Sequence, residues 1–438
     1  SLHDALPIYS LFYYINLSEM IYKPNIGYTV KHDLCTGCGV CEDACPSHAI
    51  HVDVKKGCFR PIVDNEMCLN NKGCHRCYDV CPGLGVNLQQ LTRECFTEGV
   101  TDELMGHYLK CFVGHSSDFD IRYHCASGGM VSQFLIFLLE KEYIDGAVVT
   151  AFNAQAPLLV NSYIARTREE VLMGKSSKYA PVSLNHAIRD IKKAEGTRYI
   201  IVGLPCHIEG FRKYEKVDKR FREKVAGYFA IYCSSGRNFH LTEYVFRKRG
   251  IQKEKLTYFA YRDNGCLGNM VVKGEGIEYE ERFQNYYHPL RSIFVPRRCT
   301  MCIDHYGELA DVSFGDIHVE PYIQDKVGIN SLIVRNHKML DWLMEAKDEG
   351  VIALDEILAK TVNDSQVMAR IKKYRNSAFI GFNRMLGKKV PIYDLQLHGG
   401  NQLKWLISYL HTNIQQFIGC YKFLWFLIPL VKGKAPKI

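Results

Sequence analysis

Short apolar runs and helical stripes alternate along the chain after Leu91, a pattern typical of a sheet covered by helices. Buried strands are predicted where apolar runs stand between turn residues, at 145–152, 198–203, 226–232, 310–314 and 331–334, with a hairpin at 269–273 and 279–283. Helices are predicted at 127–140, 183–194 and 337–349, where apolar residues recur every three or four positions. We therefore expect an α/β domain with a mainly parallel or mixed sheet, whose sites lie at the carboxyl ends of strands.

Residues 28–86 follow a different pattern, because two alternating segments lie between two dense cysteine runs. Segments 50–54 and 59–63 predict a hairpin with its turn at Lys55-Lys56-Gly57. The first run has the bacterial 4Fe–4S spacing C-x2-C-x2-C-x3-C-P and consists of Cys35, Cys38, Cys41, Cys45 and Pro46. The second run has five residues in its first spacer instead of two and consists of Cys68, Cys74, Cys77, Cys81 and Pro82. This duplication predicts an α+β ferredoxin-like module with two 4Fe–4S clusters.

The resemblance to two-cluster ferredoxins implies that the fourth cysteine of each run binds the cluster of the other run. One cluster would then be held by Cys35, Cys38, Cys41 and Cys81. The other would be held by Cys45, Cys68, Cys74 and Cys77. The long spacer leaves Cys58 as an alternative to Cys68. Zinc is an alternative to iron, although zinc sites usually present paired C-x2-C knuckles.

The C-terminal part of the chain is expected to form a helical tail. From residue 401 onward its only formally charged side chains are lysines, and one helical stripe is formed by Leu406, Leu410, Ile414, Phe417 and Tyr421. The apolar run at 423–431 is too short to span a bilayer. Two interpretations stay open: a terminal helix packed on its own domain, or a basic helix that docks on a partner or touches the inner membrane surface.

Composition narrows the class of protein. A length of 438 residues predicts two or three domains, and 47% hydrophobic with 23% charged residues excludes disorder as the dominant state. The net charge of +8 is mild for this length and does not indicate nucleic-acid binding. Eighteen cysteines without a visible secretory signal indicate metal ligands in a reducing cytoplasm rather than disulfides.

Four further signals lie in the α/β region, three of them at the ends of predicted strands. Gly203-Leu204-Pro205-Cys206 closes one strand, Cys233 closes the next, and Gly315-Asp316 closes a third. Cys299 and Cys302 form a compact C-x2-C pair. The pair alone would fit zinc, a redox pair or buried thiols, and the two strand-end cysteines extend it to a four-thiolate site.

These motifs occur in an order that resembles the coenzyme F420 hydrogenase/dehydrogenase beta-subunit family, whose members are iron–sulfur flavoproteins. The resemblance covers residues 28–370 and rests on the ferredoxin segment, the strand-end signals, the cysteine pair, Arg122-Tyr123-His124-Cys125-Ala126-Ser127-Gly128-Gly129 and Gly174-Lys175-Ser176-Ser177-Lys178-Tyr179. The chain departs from the family pattern at Cys125, Ala126 and Leu204, where serines and a threonine are usual. A buried, inert thiol is the simplest interpretation of Cys125.

The resemblance implies FAD and a third 4Fe–4S cluster. The implied cofactor contacts are Ser127, Gly128, Gly129, Lys175, Ser176, Lys178, Tyr179, Gly315 and Asp316. The implied third ligand set is Cys206, Cys233, Cys299 and Cys302, with buried cysteines and a structural pair as the alternative. The glycine motif alone would also fit a packing turn, and the lysine loop a solvated surface. No catalytic acid or base is assigned, because His207 and Asp316 are only close to these motifs.

The implied function is an oxidoreductase that passes electrons between clusters, FAD and a soluble donor or acceptor. That small molecule would be an F420-type deazaflavin or another compound, and some family members accompany bacterial polysaccharide genes. The alternative is a non-catalytic electron-relay subunit of a larger complex, with a ferredoxin or another redox protein as its partner. Neither the substrate nor the direction of electron flow is fixed by the family.

The motifs divide the chain into five parts. These are an N-terminal extension at 1–27, a ferredoxin-type domain at 28–86, a flavin-binding region at 105–185, a second α/β region at 186–370 and the tail at 371–438. We expect part of the extension to be translated adapter sequence, with Met20 as the native start.

Overall fold

The computed structural model of the chain describes residues 23–153, 156–396 and 402–433. The expected start at Met20 and most of the N-terminal extension lie outside the described residues.

The ferredoxin-like module is built on a hairpin and short helices. Strands β1 (Ile50–Lys55) and β2 (Cys58–Val63) pair antiparallel, with Ile50 opposite Val63, so the predicted hairpin is confirmed. The helices are α1 (Gly27–Lys31), α2 (Val40–Ala44) and α3 (Arg76–Asp79). Strand β3 (Gly85–Val86) and helix α4 (Leu88–Cys95) lead to the large domain, after the 3-10 helices Leu69–Lys72 and Pro82–Leu84.

An eight-stranded sheet forms the centre of the large domain. Its strands are β6 (Lys110–Ser116), β7 (Gly146–Asn153), β8 (Ala156–Ala165), β9 (Tyr199–Gly203), β10 (Val225–Ile231), β14 (Val312–Asp316), β15 (Asn330–Val334) and β16 (Ile352–Ile357). The spatial order is β16-β6-β15-β14-β10-β9-β7-β8. The central strands β14, β10, β9 and β7 are parallel, and the remaining pairings are antiparallel. The sheet is therefore mixed.

Smaller strands and the helices complete the fold. A three-stranded sheet contains β11 (Leu256–Asp263), β12 (Asn269–Gly274) and β13 (Ile277–Arg282), of which the last two form the predicted hairpin. Strands β4 (Val100–Asp102) and β5 (Gly106–Tyr108) pair with each other, and β17 (Ile392–Tyr393) pairs with β3. The helices are α5 (Phe119–His124), α6 (Met130–Glu140), α7 (Arg168–Met173), α8 (Ala187–Lys193), α9 (Pro205–Glu215), α10 (Lys219–Lys224), α11 (His240–Arg249), α12 (Phe283–Tyr286), α13 (His337–Asp348), α14 (Ala359–Ser365), α15 (Val367–Met385), α16 (Gln402–Cys420) and α17 (Ile428–Val431).

Alternate residues of the central strands belong to two cores, one on each face of the sheet. Ile201 of β9 packs in a core that also contains Val40 of the ferredoxin-like module. Its neighbour Ile200 packs in the other core, with Phe134 of α6 and Leu343 of α13. The ferredoxin-like module therefore shares a hydrophobic core with one face of the large sheet.

The approach of the first cysteine loop to the large domain requires a glycine at position 39. Gly39 has a φ of +87°, and a Cβ there would overlap Ser183 Oγ. The backbone N–H of Leu184 donates to the carbonyl oxygen of Cys38 over 2.9 Å. The cysteine loop is thus held directly against the segment that precedes α8.

Two predicted helices begin later than expected. The helix predicted from residue 127 begins at Met130, because Gly128 and Gly129 have φ values of +96° and +76° and form a left-handed turn. The helix predicted from residue 183 begins at Ala187. Within the described part of the chain, no helix has both the length and the hydropathy of a membrane span.

Candidate functional site

A first group of cysteines lines one small cavity beside α2: Cys35, Cys38, Cys41 and Cys81. Gly37 and Gly39 have φ values of +77° and +87°, which lets the loop fold around the cavity. Burial raises the pKa of Cys35 to about 12, and the nearby Cys81 and Cys38 add to that shift. The structure thus brings Cys81 of the second run together with three cysteines of the first.

A second group forms around Cys77, whose pKa is raised to about 11 by burial and by its three cysteine neighbours, Cys45, Cys68 and Cys74. The long spacer after Cys68 folds into the 3-10 helix Leu69–Lys72, closed by Gly73 at a φ of +83°. The N–H of Cys74 donates to the carbonyl of Leu69 over 3.1 Å, so the additional residues form a local turn. Cys68 therefore stays beside Cys77 despite the irregular spacing.

Cys58, the sequence-based alternative to Cys68, lies elsewhere. Burial raises its pKa to about 12, and the cysteines that contribute to that shift are Cys299 and Cys420. The geometry therefore favours Cys68 over Cys58 in the second group.

A third group forms where α9, the loop after β10 and the 3-10 helix Arg297–Met301 meet; its members are Cys206, Cys233, Cys299 and Cys302. The ends of β9 and β10 supply the first two, because these strands are parallel neighbours. Burial raises the pKa of Cys233 to about 12, and Cys299 and Cys302 add to that shift.

The donor atoms of the three groups suit iron–sulfur clusters. A 4Fe–4S cluster takes one thiolate ligand on each of its four irons. Each group is a thiol-only set of four, which is the donor chemistry of such a cluster.

Buried cations surround the third group. Lys372 is 1% exposed, and its Nζ donates to Cys302 Sγ over 3.2 Å and to the carbonyl of Asp304 over 2.6 Å. Arg298 Nε donates to the carbonyl of Gly83 over 2.8 Å, which ties this group to the end of the second cysteine run. Cations and N–H donors near sulfur stabilise an anionic cluster.

The three groups follow one another in space. Cys77 of the second group packs in one cluster with Cys41 and Cys81 of the first. Arg298, the neighbour of Cys299 in the third group, donates to the carbonyl of Gly83, two residues after Cys81. The order is therefore second, first, third.

The expected cofactor residues gather at the carboxyl end of β14. Asp316 accepts hydrogen bonds from Ser127 Oγ and from Arg262 Nη1, the latter at 3.0 Å. Burial opposes ionisation of Asp316, but Arg262 and His318 outweigh it and hold the pKa of this carboxyl below its ordinary value. Gly315 lies under the ring of Tyr232, where a Cβ would overlap the aromatic carbons.

The two lysines of the loop from Gly174 to Tyr179 differ in their hydrogen bonds. Lys178 Nζ donates to the carbonyls of Gly174 and Lys175, each over 2.6 Å, and burial lowers the pKa of Lys178 to about 7. Ser176 Oγ donates to the carbonyl of Arg262. The ammonium of Lys175, by contrast, forms no hydrogen bond or ion pair with any residue that the structure describes. Lys175 is therefore the cation of this loop that remains open to an anion.

An aromatic cluster connects this loop with the third cysteine group. The ring centroids of Tyr179 and Tyr287 are 4.3 Å apart. The guanidinium of Arg237 lies over the Tyr287 ring, 4.8 Å from its centroid. Burial and Cys233 raise the pKa of Tyr287, against the opposing effect of the Arg237 guanidinium. Arg237 Nε and Asn238 Oδ1 are buried and have no hydrogen-bond partner among the described residues. These adjacent residues thus carry two polar atoms that no described protein group satisfies.

His207 and Cys125 have ordinary structural surroundings. His207 Nδ1 accepts from the N–H of Leu204 over 3.0 Å, and Nε2 lies 3.1 Å from the carbonyl of Val182. Burial lowers the pKa of His207 to about 4, so the ring is neutral. Cys125 is buried, and burial raises its pKa.

Sequence reasoning missed three cations of the site: Arg237, Arg262 and Lys372. Arg237 follows Cys233 in the loop after β10, and this position after a buried strand was a usable signal. Arg262 lies next to the last residue of β11, a strand that the hydrophobic pattern did not indicate. Lys372 lies on α15, at the beginning of the expected helical tail, where no site was predicted.

Three family models match the chain. Coenzyme F420 hydrogenase/dehydrogenase, beta subunit N-term, matches residues 111–189, and the corresponding C terminus matches residues 196–360. A 4Fe-4S binding domain matches residues 28–51, which include the whole first cysteine run.

Curated relatives and a solved structure agree with these matches. The chain is 27% identical over 333 residues to the coenzyme F420-dependent sulfite reductase of Methanocaldococcus jannaschii, covering 73% of this chain and 47%, about half, of that protein. It is 24% identical to the coenzyme F420 hydrogenase subunit beta of Methanococcus voltae, over 65% of this chain and 99% of that one. A chain of the F420-reducing [NiFe] hydrogenase complex from Methanosarcina barkeri has a TM-score of 0.54 at 18% identity, over 67% of this chain and 98% of that one, and shares its fold.

Proposed function

Because the chain belongs to the coenzyme F420 hydrogenase/dehydrogenase beta-subunit family, we propose that it is an iron–sulfur flavoprotein oxidoreductase. It passes electrons between 4Fe–4S clusters, FAD and a small redox molecule. The observation that carries the proposal is the spatial series of three groups of four buried or half-buried cysteines, followed by the aromatic cluster and the Asp316 site.

The three cysteine groups are the proposed ligand sets. Cys35, Cys38, Cys41 and Cys81 hold one cluster. Cys45, Cys68, Cys74 and Cys77 hold the second. Cys206, Cys233, Cys299 and Cys302 hold the third, with Lys372 donating to one of its sulfurs.

FAD is proposed at the carboxyl edge of the parallel strands. When bound, it exchanges two electrons with an organic substrate and single electrons with the clusters. Lys175 offers its unpaired ammonium to the diphosphate, and the loop of Ser127, Gly128 and Gly129 at the N-terminus of α6 offers backbone N–H groups. Arg237 and Asn238 offer the two buried polar atoms that lack partners. The Arg262–Asp316 pair fixes the position of Ser127.

The substrate is proposed to be an F420-type deazaflavin or another small redox molecule. The support is the names of the relatives, several of which refer to coenzyme F420. A link to polysaccharide synthesis stays a prediction.

A non-catalytic electron-relay subunit is the second candidate. It is favoured by the internal pairing of Ser127, Lys178 and Asp316, whose polar groups already bond to protein atoms. Its partner would be a ferredoxin or another redox subunit.

Cofactor analysis of protein purified without oxygen tests the proposal. Three clusters predict about twelve irons and twelve sulfides per chain, together with about one flavin. Iron near this value without flavin, and without turnover of any small redox molecule, would favour the relay subunit. Absence of both iron and sulfide after reconstitution would reject both candidates.

Lys175→Ala tests the position of the flavin. We expect flavin content to fall at least about fivefold at unchanged iron content, because the variant removes a charge-assisted contact to the diphosphate. Lys347→Ala, on the exposed last turn of α13, is the matched control and should retain its flavin. Equal flavin content in both variants would contradict this placement.

A further inference from the structure

Helix α16 buries several polar side chains and exposes apolar ones. Its side toward the protein carries Thr412, Gln415 and Gln416 together with the buried Tyr409 and Ile418. Gln416 Nε2 donates to the carbonyl of Val295 over 3.0 Å, and Gln415 Nε2 donates to the carbonyl of Val431 over 2.7 Å. A surface helix normally turns such residues to water and its apolar residues to the core.

The solvent side of α16 is apolar along its length. The residues that form this apolar face, each 54–70% exposed, are Leu403, Ile407, Leu410, Ile414 and Phe417. They recur every three or four positions and therefore lie on one side of the helix. At about 1.5 Å per residue, the stripe is about 20 Å long. A continuous exposed patch of this kind marks an interaction surface.

Contacts on the opposite side of α16 fix the helix on the protein, so that the apolar face points to solvent. Tyr409 OH donates to Asn383 Oδ1 over 3.0 Å, which fixes α16 to α15. Gly419 packs so closely on Ile293 that a Cβ would overlap its carbonyl oxygen. Trp425, buried after α16, donates through Nε1 to the carbonyl of Gly419 over 3.3 Å. The tail therefore packs on its own domain, as one of the two sequence-based interpretations expects, and the docking interpretation stays a prediction.

The charge of the C-terminal segment indicates what kind of surface the apolar face would bind. Residues 401–438 contain five lysines and no Asp, Glu or Arg. Lys422 is paired with Glu243, whereas Lys432 forms no ion pair among the described residues. A segment whose only charged side chains are lysines and which exposes an apolar face complements a surface that is both apolar and anionic.

A second copy of the chain fits this face less well. A two-fold contact would bring two lysine-only tails together without any acidic partner. The spacing of the apolar face matches a coiled-coil seam, but its flanking positions offer no opposite charges for pairing between helices.

We propose that α16 lies flat on an anionic lipid surface, with the apolar face in the interfacial region and Lys432 attracted to the headgroups. This surface is independent of the proposed function, since it shares no residue with the cysteine groups or the Asp316 site.

Vesicle sedimentation with the full chain tests the proposal. The probes are vesicles of phosphatidylcholine alone and of phosphatidylcholine mixed with phosphatidylglycerol. We expect the chain to sediment with the anionic vesicles and much less with the neutral ones. Leu410→Gln/Ile414→Gln/Phe417→Gln should weaken this binding at least about tenfold, because three exposed apolar side chains no longer enter the interface.

Two further variants separate the contributions. Val100→Gln/Leu358→Gln/Val367→Gln changes three exposed apolar residues elsewhere and should bind as the unmodified chain does. Lys432→Gln should weaken binding to anionic vesicles roughly fivefold and leave binding to neutral vesicles unchanged.

Absence of binding to either vesicle would overturn the proposal, as would equal binding to neutral and anionic vesicles. Binding unaffected by the triple variant of the apolar face would also overturn it. A dimer in sedimentation velocity that this variant abolishes, without vesicle binding, would assign the face to a second copy instead. Because all substituted side chains are exposed, the variants should retain the elution volume and thermal unfolding of the unmodified chain.

Discussion

The ammonium of Lys372 is buried beside the third cysteine group, whose thiols come from three segments of the chain. Its Nζ is 3.2 Å from Cys302 Sγ and is further held by the carbonyl of Asp304 at 2.6 Å. A buried cation costs free energy unless anionic groups or hydrogen bonds compensate it. The thiolates of a bound cluster would supply that compensation, and the ammonium would in turn favour the more negative, reduced state of the cluster.

Lys372→Met should therefore lower the reduction potential of the third cluster. We expect a decrease on the order of 60 mV, which corresponds to about 1.4 kcal/mol for a one-electron couple. Redox titration followed by electron paramagnetic resonance measures this potential separately from those of the other two clusters.

Lys372→Arg keeps the charge and is the conservative control, expected to recover most of the potential. Iron content should be the same in all three proteins, because Lys372 is not a ligand. A potential that is unchanged in Lys372→Met would show that this ammonium does not tune the cluster.

Individual secondary-structure elements determine which cysteines lie close enough together to form one group. The 3-10 helix Leu69–Lys72 absorbs the irregular spacer of the second run and keeps Cys68 near Cys77. Strand β2 carries Cys58 to a different place, toward Cys299 and Cys420. Two cysteines separated by ten positions thus have different surroundings.

Cys68→Ala and Cys58→Ala form a matched pair that tests this assignment. We expect Cys68→Ala to lose about four irons per chain, since the second cluster loses a ligand, and Cys58→Ala to lose none. Iron and sulfide analysis after anaerobic reconstitution measures the difference. Loss of iron in Cys58→Ala with full retention in Cys68→Ala would reverse the assignment.

The periodicity of apolar residues predicted the strands at the centre of the sheet. It failed for elements whose position or boundaries depend on tertiary contacts. Strands β9, β10 and β14 lie in the sheet centre and were found within a few residues. The antiparallel edge strand β16 was missed, because the acidic pair Asp355-Glu356 interrupts its apolar residues. The beginning of α6 was misplaced, because a helical apolar pattern does not show that Gly129 is left-handed.

The candidate site also contains residues that the sequence predicted and residues that it did not. Cysteine spacing is local, so the runs that supply the ligands were visible in the sequence. The cations around them come from α15, β11 and the loop after β10, which only the tertiary fold brings close. The outward orientation of the apolar face of α16 was also hidden, because a helical stripe does not say which side faces the protein.

At the scale of the whole molecule, the ferredoxin-like module and the large sheet share one core, which fixes the distance between their cysteine groups. Cys38 of the module neighbours Cys206 of the sheet domain, and Arg298 bonds to the carbonyl of Gly83 across the same boundary. The third group therefore occupies the position between the module and the Asp316 site. If electrons pass between the two ends of the molecule, this group is their connection.

Cys299→Ala should interrupt that connection without removing either end. We expect the variant to lose about four irons per chain and to retain its flavin and the spectroscopic signal of the two ferredoxin-type clusters. Since electron transfer between cofactors needs closely spaced centres, a donor that reduces the flavin should then leave the ferredoxin-type clusters oxidised in rapid-mixing experiments. Cys95→Ala, at a half-buried cysteine whose charged neighbours are Arg212 and Glu215, should behave like the unmodified chain. Full iron content in Cys299→Ala would reject the ligand set, and undiminished electron passage despite the loss of iron would reject the position of the third cluster as the connection.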